Sequence, residues 1–318
     1  MKKNSTSFFL CLPIFLLLAL SFSTSAFSLD VDLRQGRWFG NAVCYSGYRH
    51  GQNPDSGQYP SQSQIFEDLK ILESHWRLIR VYSSNQHTRD ILEVIRRERI
   101  NIKVMLGAYL KGEPGNEAIN GQEVRESIRL ANEYRDIVIA VSVGNEILIH
   151  WSDHKVPEDR VIQYVQEVKR NVSVPVTVDD DIFYWRDRGA RLASVVDFVT
   201  IHTYPIWGGV DINRGLEVTI QHFESLKAVL PPGKTIVIGE AGWASYTAGD
   251  AHAQGAGNEW NQKRYFDELS SWAARSGVNV FMFEAFDEPW KGEGTEGHWG
   301  LFTADRKPKL VVADRHRW

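Results

Sequence analysis

Two short apolar runs constrain this chain more than any other feature of it. Ile137-Val138-Ile139-Ala140-Val141-Ser142-Val143 leads straight into Gly144-Asn145-Glu146, and Thr235-Ile236-Val237-Ile238 leads into Gly239-Glu240. Continuous β-branched runs of this length read as strands buried on both faces, as in a parallel sheet covered by helices. Each run stops on a glutamate. Each strand therefore presents a carboxylate at its carboxyl end.

Further runs of the same kind recur along the chain. Strands are expected at Trp38 to Tyr45, Leu78 to Tyr82, Ile102 to Leu106, Ile137 to Val143, Val174 to Val178, Phe198 to His202, Thr235 to Ile238 and Val278 to Phe283. Pro175 lacks an amide proton and belongs at the start of its strand if anywhere. Helical periodicity lies between the runs: Ile65, Leu69 and Leu72 share one face, as do Val161, Tyr164, Val165 and Val168. Ser61 with Gln64 has the form of a capping box, and Pro157 suits a first helical turn. Pro308 to Asp314 is the one candidate for a helix after the eighth strand. Eight strands alternating with helices predict an α/β fold, a closed (β/α)8 TIM barrel. The chain has 318 residues, and such a barrel uses about 250 as one unit, so a single domain is expected.

Lys2 and Lys3 precede an apolar stretch from Phe8 to Phe22, and small residues follow between Ser23 and Ser28. This is the layout of a secretory signal peptide over residues 1-28, with a catalytic domain over 29-318. The stretch is short for a retained membrane anchor, the alternative reading. A secreted or periplasmic protein is expected, with no membrane association after cleavage. Cys11 lies in the signal and leaves Cys44 alone in the mature chain, so no internal disulfide is available. In its apolar strand Cys44 reads as a small buried side chain rather than a nucleophile. The formal charge of −4 gives no electrostatic case for nucleic acid. The expected partner is uncharged, and the protein a monomer.

The carboxyl ends of all strands in a parallel barrel share one rim, so Glu146 and Glu240 converge there despite their separation in sequence. Two carboxyl groups roughly 5 to 5.5 Å apart are the arrangement of a retaining glycosidase. Val143-Gly144-Asn145-Glu146, Gly239-Glu240-Ala241-Gly242-Trp243, Thr203-Tyr204-Pro205, Arg80-Val81-Tyr82 and Phe286-Asp287-Glu288, followed by Lys291, Glu296 and Gly300-Leu301-Phe302, span nearly the whole mature chain. In these motifs and their order the chain resembles glycoside hydrolase family 17, the β-1,3-glucanase family. The tract Tyr45 to Gln52 is similar to the bacterial and fungal branch, and Glu284 and Trp290 depart from the plant pattern. The resemblance implies Glu146 as acid/base and Glu240 as nucleophile in retaining hydrolysis of a laminarin-type β-1,3-glucan through a glycosyl-enzyme. A β-1,3-glucanosyltransferase and a catalytically silent glucan-binding protein are the alternatives.

Around the pair, Asn145 is placed to bond a sugar hydroxyl, and Tyr204 to orient the nucleophile. Arg80 either holds Glu240 ionised or makes a structural bond at the rim. Glu288 and Lys291 are either part of a sugar subsite wall or a solvated ion pair. Tyr45, Tyr82, Trp207, Trp243, Trp290 and Trp299 fall at or beyond strand ends, where flat rings can stack on pyranose faces, with Trp243 and Trp290 the foremost candidates. The clusters His150, Asp153, His154 and Asp179, Asp180, Asp181 have no zinc or calcium spacing and read as solvated loops. The reaction calls for no metal and no cofactor.

Overall fold

The computed structural model describes Met1, residues 42–248 and residues 256–313. The signal-peptide reading and the first four residues of the expected first strand lie outside them. Eight parallel strands follow one another around a closed barrel in chain order, and the last pairs with the first. They are β1 (Ala42–Cys44), β2 (Leu78–Arg80), β3 (Lys103–Ala108), β4 (Val138–Asn145), β5 (Val176–Asp181), β6 (Val199–Thr203), β7 (Ile236–Ala241) and β8 (Val280–Met282). The outer layer holds α1 (Gln62–Glu73), α2 (Gln86–Glu98), α3 (Glu117–Glu133), α4 (Glu158–Asn171), the short α5 (Ile182–Asp187) and α6 (Ala190–Ala193), α7 (Ile212–Lys227) and α8 (Glu259–Ser276). Among the described residues no helix is long and apolar enough to cross a membrane.

Local chemistry accounts for these boundaries. Ser61 and Gln64 form the reciprocal capping box that starts α1. Pro157 is the N-cap of α4, whose first turn is acidic and last turn basic, matching the helix dipole. The fifth strand corrects the expectation of Val174 to Val178. Its ladder begins after Pro175, as a missing amide requires, and runs on through Asp179, Asp180 and Asp181. All three aspartates are buried, so this is no solvated loop.

Period-two alternation sorts the strand side chains into two cores. Ala42, Cys44, Leu78, Ala140, Phe198, Val237 and Phe281 pack together inside the barrel. Val43, Ile79, Val141, Val199 and Ile238 belong to the larger core under the helices. The inward register continues upward from Leu78 to Arg80 and from Phe198 through Thr200 to His202 and Tyr204. Apolar packing thus gives way to polar groups toward the carboxyl rim. Cys44 is a free, buried thiol whose Sγ–H donates to Gly239 O at 3.3 Å.

The eighth strand is followed by an irregular return rather than a long helix, and the expected final helix is the single turn α9 (Leu310–Ala313). The return is pinned by charge. Arg306 makes a two-toothed pair with the fully buried Asp68 of α1 (2.6 and 2.7 Å) and also donates to Gly47 O at 2.7 Å. Arg49 at 2.8 Å and the Tyr45 hydroxyl at 3.2 Å complete the shell of Asp68. Removing one partner of a buried pair strands the other charge. Arg306→Ala should therefore destabilise the barrel by about 3 kcal/mol in urea unfolding, and an unchanged midpoint would show that the return segment does not seal the barrel.

Candidate active site

Backbone geometry at two strand ends presents the glutamates. Gly144 has φ +97°, and a Cβ there would lie 2.3 Å from Ile147 Cδ1, so only glycine fits. The chain then places Glu146 in the left-handed region at φ +50°, with its amide donating to Asp179 O at 2.9 Å. On β7, the register against β6 shifts by one residue between Ile238 and Glu240. Such a bulge re-aims a side chain. Gly239 absorbs it, since a Cβ there would meet Thr200 Cγ2 at 2.4 Å, and Glu240 turns into the barrel mouth. One carboxylate oxygen each from Glu146 and Glu240 and one ring nitrogen of His202 lie within 4.8 Å of one another.

Glu240 is held from three directions. Arg80 Nη1 donates to Oε1 at 2.5 Å, the Tyr204 hydroxyl donates to Oε2, and His202 Nδ1 stands 3.5 Å from Oε2. Burial alone would raise the Glu240 carboxyl; the His202 and Arg80 charges and the two hydrogen bonds outweigh it and hold the group below the usual range. Arg80 in turn donates from Nε to Asp179 at 2.6 Å and from Nη2 to Asn145 Oδ1 at 2.5 Å, and its guanidinium carbon lies over the Tyr82 ring, 4.7 Å from the centroid. His202 also meets Glu146 Oε1 at 2.7 Å. Its burial favours the neutral ring, but the Glu240 charge and the Glu146 hydrogen bond push it up to about 9. Two cations, Arg80 and His202, thus face three carboxylates, and the cluster is neutral when one carboxyl carries a proton.

The same three residues, Glu146, His202 and Glu240, have the composition of a metal site. The arrangement does not fit one. Both Glu240 oxygens already have donors, and a metal cation would face the Arg80 and His202 charges. His154 is also engaged, by Asp153 at 2.7 Å and Asn145 O at 3.0 Å.

A cleft of about 1430 Å³ opens over the pair. Drug-sized pockets span about 300 to 1,000 Å³, so this one has room for several sugar units. Tyr82, Asn145, Tyr204, Glu288, Trp290 and Lys291 line it. Tyr45 is buried in its floor with its hydroxyl committed to Asp68. Arg80 is buried beneath Glu240, so it touches the nucleophile candidate rather than the open cleft. Glu288 and Lys291 are not a solvated pair. Lys291 Nζ bridges Glu288 at 2.7 Å and Glu284 at 3.0 Å, and both carboxylates are buried. Burial and the Glu288 charge raise the Glu284 carboxyl well above its ordinary value.

Trp243 is a correction. It is 1% exposed, its indole N–H donates to Ala256 O at 2.9 Å, and its ring packs on Tyr265 in α8, beside Gly215 in α7. Gly242 lies so close to Phe283 O that a Cβ would sit 2.2 Å from it, and the chain turns Trp243 into the helix layer. No ring face is left for a sugar. Sequence reasoning also missed His202, although its place two residues before Tyr204 on a strand puts both on one face. Trp151, 52% exposed on the loop after β4, and Phe183, in the first turn of the short α5, also line the cleft, where no periodic signal marks them.

The raised His202 value links the site to stability. A group protonated more readily when folded adds stability that is complete below its unfolded value, near 6.5, and is lost as pH rises through about 9. Urea unfolding should therefore show a decline in stability across that window which His202→Asn flattens. An identical slope in the variant would mean that His202 is not the imidazolium described here.

The BtgE/BtgC glycoside hydrolase domain family matches residues 42–300. The glucan endo-1,3-beta-glucosidase btgC of Emericella nidulans is 26% identical over 295 residues, covering 83% of this chain and 44% of that protein. The chain thus spans less than half the length of its btgC relatives. Among solved structures, an endo-laminarinase from Formosa Hel1_33_131 is 28% identical with a TM-score of 0.78, each chain covered to 86%. A glycoside hydrolase family 17 β-1,3-glucanosyltransferase from Rhizomucor miehei shares the fold at 20% identity, with a TM-score of 0.73 over 86% of this chain and 97% of its own. With the match running from the first barrel strand to beyond the last, the chain belongs to the BtgE/BtgC glycoside hydrolase domain family, as its resemblance to family 17 implied.

Proposed function

We propose that this chain is a retaining hydrolase of laminarin-type β-1,3-glucan. The observation that carries the reading is the pairing of Glu146 and Glu240 from β4 and β7, their oxygens within 4.8 Å, with only Glu240 clamped by an arginine and a tyrosine. The spacing suits direct attack and leaves no place for the separate water of an inverting enzyme. The names of the Emericella and Formosa proteins support the substrate class.

In the first step Glu240 attacks the anomeric carbon while Glu146 gives its proton to the departing glycosidic oxygen. The C–O bond breaks, the leaving sugar departs as an alcohol, and a glycosyl ester remains on Glu240. Glu146, now a carboxylate, takes a proton from water as that water attacks the anomeric carbon and frees Glu240. Arg80 and the Tyr204 hydroxyl keep Glu240 ionised and aimed before the attack. Asn145 and the aromatic walls supply the hydroxyl contacts and stacking faces for the sugars. A sugar hydroxyl in place of water gives glucanosyl transfer, and the exposed Trp151 on the Glu146 loop offers such an acceptor a surface. The lysine-led apolar segment further supports export to a polysaccharide-bearing compartment.

On laminarin, Glu146→Gln should lower turnover by about 10²- to 10⁴-fold, and Glu240→Gln should abolish it, with both variants folded. Azide should restore turnover to Glu146→Ala on an aryl glycoside with a good leaving group and give a β-glycosyl azide. Proton NMR of the first product should show the β-anomer; an initial α-anomer, or near-normal activity in either Gln variant, overturns the reading.

A further inference from the structure

The left-handed conformation of Glu146 needs support that the cleft residues do not give. A non-glycine residue there is disfavoured by roughly 1 to 2 kcal/mol, and it persists only where its surroundings impose it. Several bonds tie the turn that carries it. Glu146 N–H donates to Asp179 O at 2.9 Å, Val156 N–H to Ile147 O at 3.0 Å, and His154 Nε2 to Asn145 O at 3.0 Å. One side-chain acceptor comes from another strand: Asp180 Oδ2 takes Leu148 N–H at 2.8 Å, while its Oδ1 takes Asp181 N–H at 2.9 Å.

Asp180 is fully buried, yet it does not line the cleft, and its recorded hydrogen bonds come from main-chain amides. Strand alternation separates it from its neighbour. Asp179 faces the barrel interior and pairs with Arg80, whereas Asp180 faces the turn after β4. A buried carboxyl group is expensive to keep for a purely structural bond, and here one of its oxygens fixes the backbone two residues beyond Glu146 while the other holds the end of its own strand.

We infer that Asp180 is a positioning residue for the proton donor: by holding Leu148 N–H it keeps Glu146 in the left-handed turn from which its carboxyl reaches the glycosidic oxygen. The inference rests on the acid/base reading of Glu146. It separates the two halves of the site, because the groups that clamp Glu240, namely Arg80, Tyr204 and His202, do not bond Asp180.

The test compares leaving groups. A 2,4-dinitrophenyl β-laminaribioside departs without a proton, whereas laminarin needs one. Asp180→Asn keeps the shape but exchanges one acceptor oxygen for an NH2 donor, so kcat/KM on laminarin should fall about 10- to 100-fold, the effect of leaving a buried amide without its acceptor. On the dinitrophenyl substrate the rate of aryl release in the glycosylation step should change less than about threefold. Equal losses on both substrates, or no loss on laminarin, overturn the inference. If Asp180→Asn does not fold, Asp180→Ser carries the same comparison, and failure of both to fold assigns Asp180 to barrel stability and also overturns it. Glu146→Ala run in parallel keeps the two claims apart. Absence of the leaving-group signature there refutes the acid/base reading itself, whereas its presence there and absence in the Asp180 variants refutes only the positioning role.

Discussion

One guanidinium organises the barrel mouth. Arg80 is buried and donates from Nε, Nη1 and Nη2 to three side chains on three strands: Asp179 of β5, Glu240 of β7 and Asn145 of β4. A planar fork presents donors on three separate nitrogens in fixed directions, which reach acceptors on three strands, whereas the donors of a lysine ammonium all radiate from one atom. The desolvation of such a charge is large, and two carboxylates together with the Tyr82 ring face offset it. The arrangement fixes the geometry of the site from beneath. Asn145 and Glu240 sit above a common support, so the cleft inherits the registry of the strands.

A second buried charge pair serves the closure of the fold. Among the described residues β1 and β8 are three residues each, and no long helix follows β8. Arg306 and Asp68 join the return segment to α1, across the seam where the first and last strands meet. The two clusters divide the work. The Asp68 cluster ties α1 and the segment after β1 to the return after β8, and the Arg80 cluster arranges the groups at the rim.

The fold was legible because its signals are local. Apolar β-branched runs, the Ser61 to Gln64 cap and the position of Pro175 all act through neighbouring residues, and each expected run holds a strand, although the fifth begins after Pro175 and runs on to Asp181. The glutamate pair was legible for the same reason, each glutamate ending a run. What escaped depends on how segments pack and which way side chains turn, not on local apolar pattern. Three consecutive aspartates look solvated until Arg80, the Leu148 amide and the Phe183 amide supply their donors. Trp243 looked like a sugar platform because it follows a strand end. Its direction is set by the bulge at Gly239 and the close approach of Gly242 to Phe283, which period-two counting does not register. Glu288 and Lys291 likewise depend on the burial of Glu284 beside them.

Two identical side chains take different parts in the proposed reaction because their surroundings differ. The Glu240 side chain is 6% exposed and that of Glu146 30%. A nucleophile needs ionisation and aim, which Arg80 and Tyr204 give; a proton donor must exchange with water and reach the leaving oxygen, which exposure allows. His202 connects the two, closer to Glu146 at 2.7 Å than to Glu240 at 3.5 Å. When Glu240 becomes an ester its charge disappears, and His202 keeps Glu146 as its remaining counter-charge at the step that calls for a base. The imidazolium therefore stays matched by a carboxylate on both sides of the glycosyl-enzyme, without any movement of the backbone.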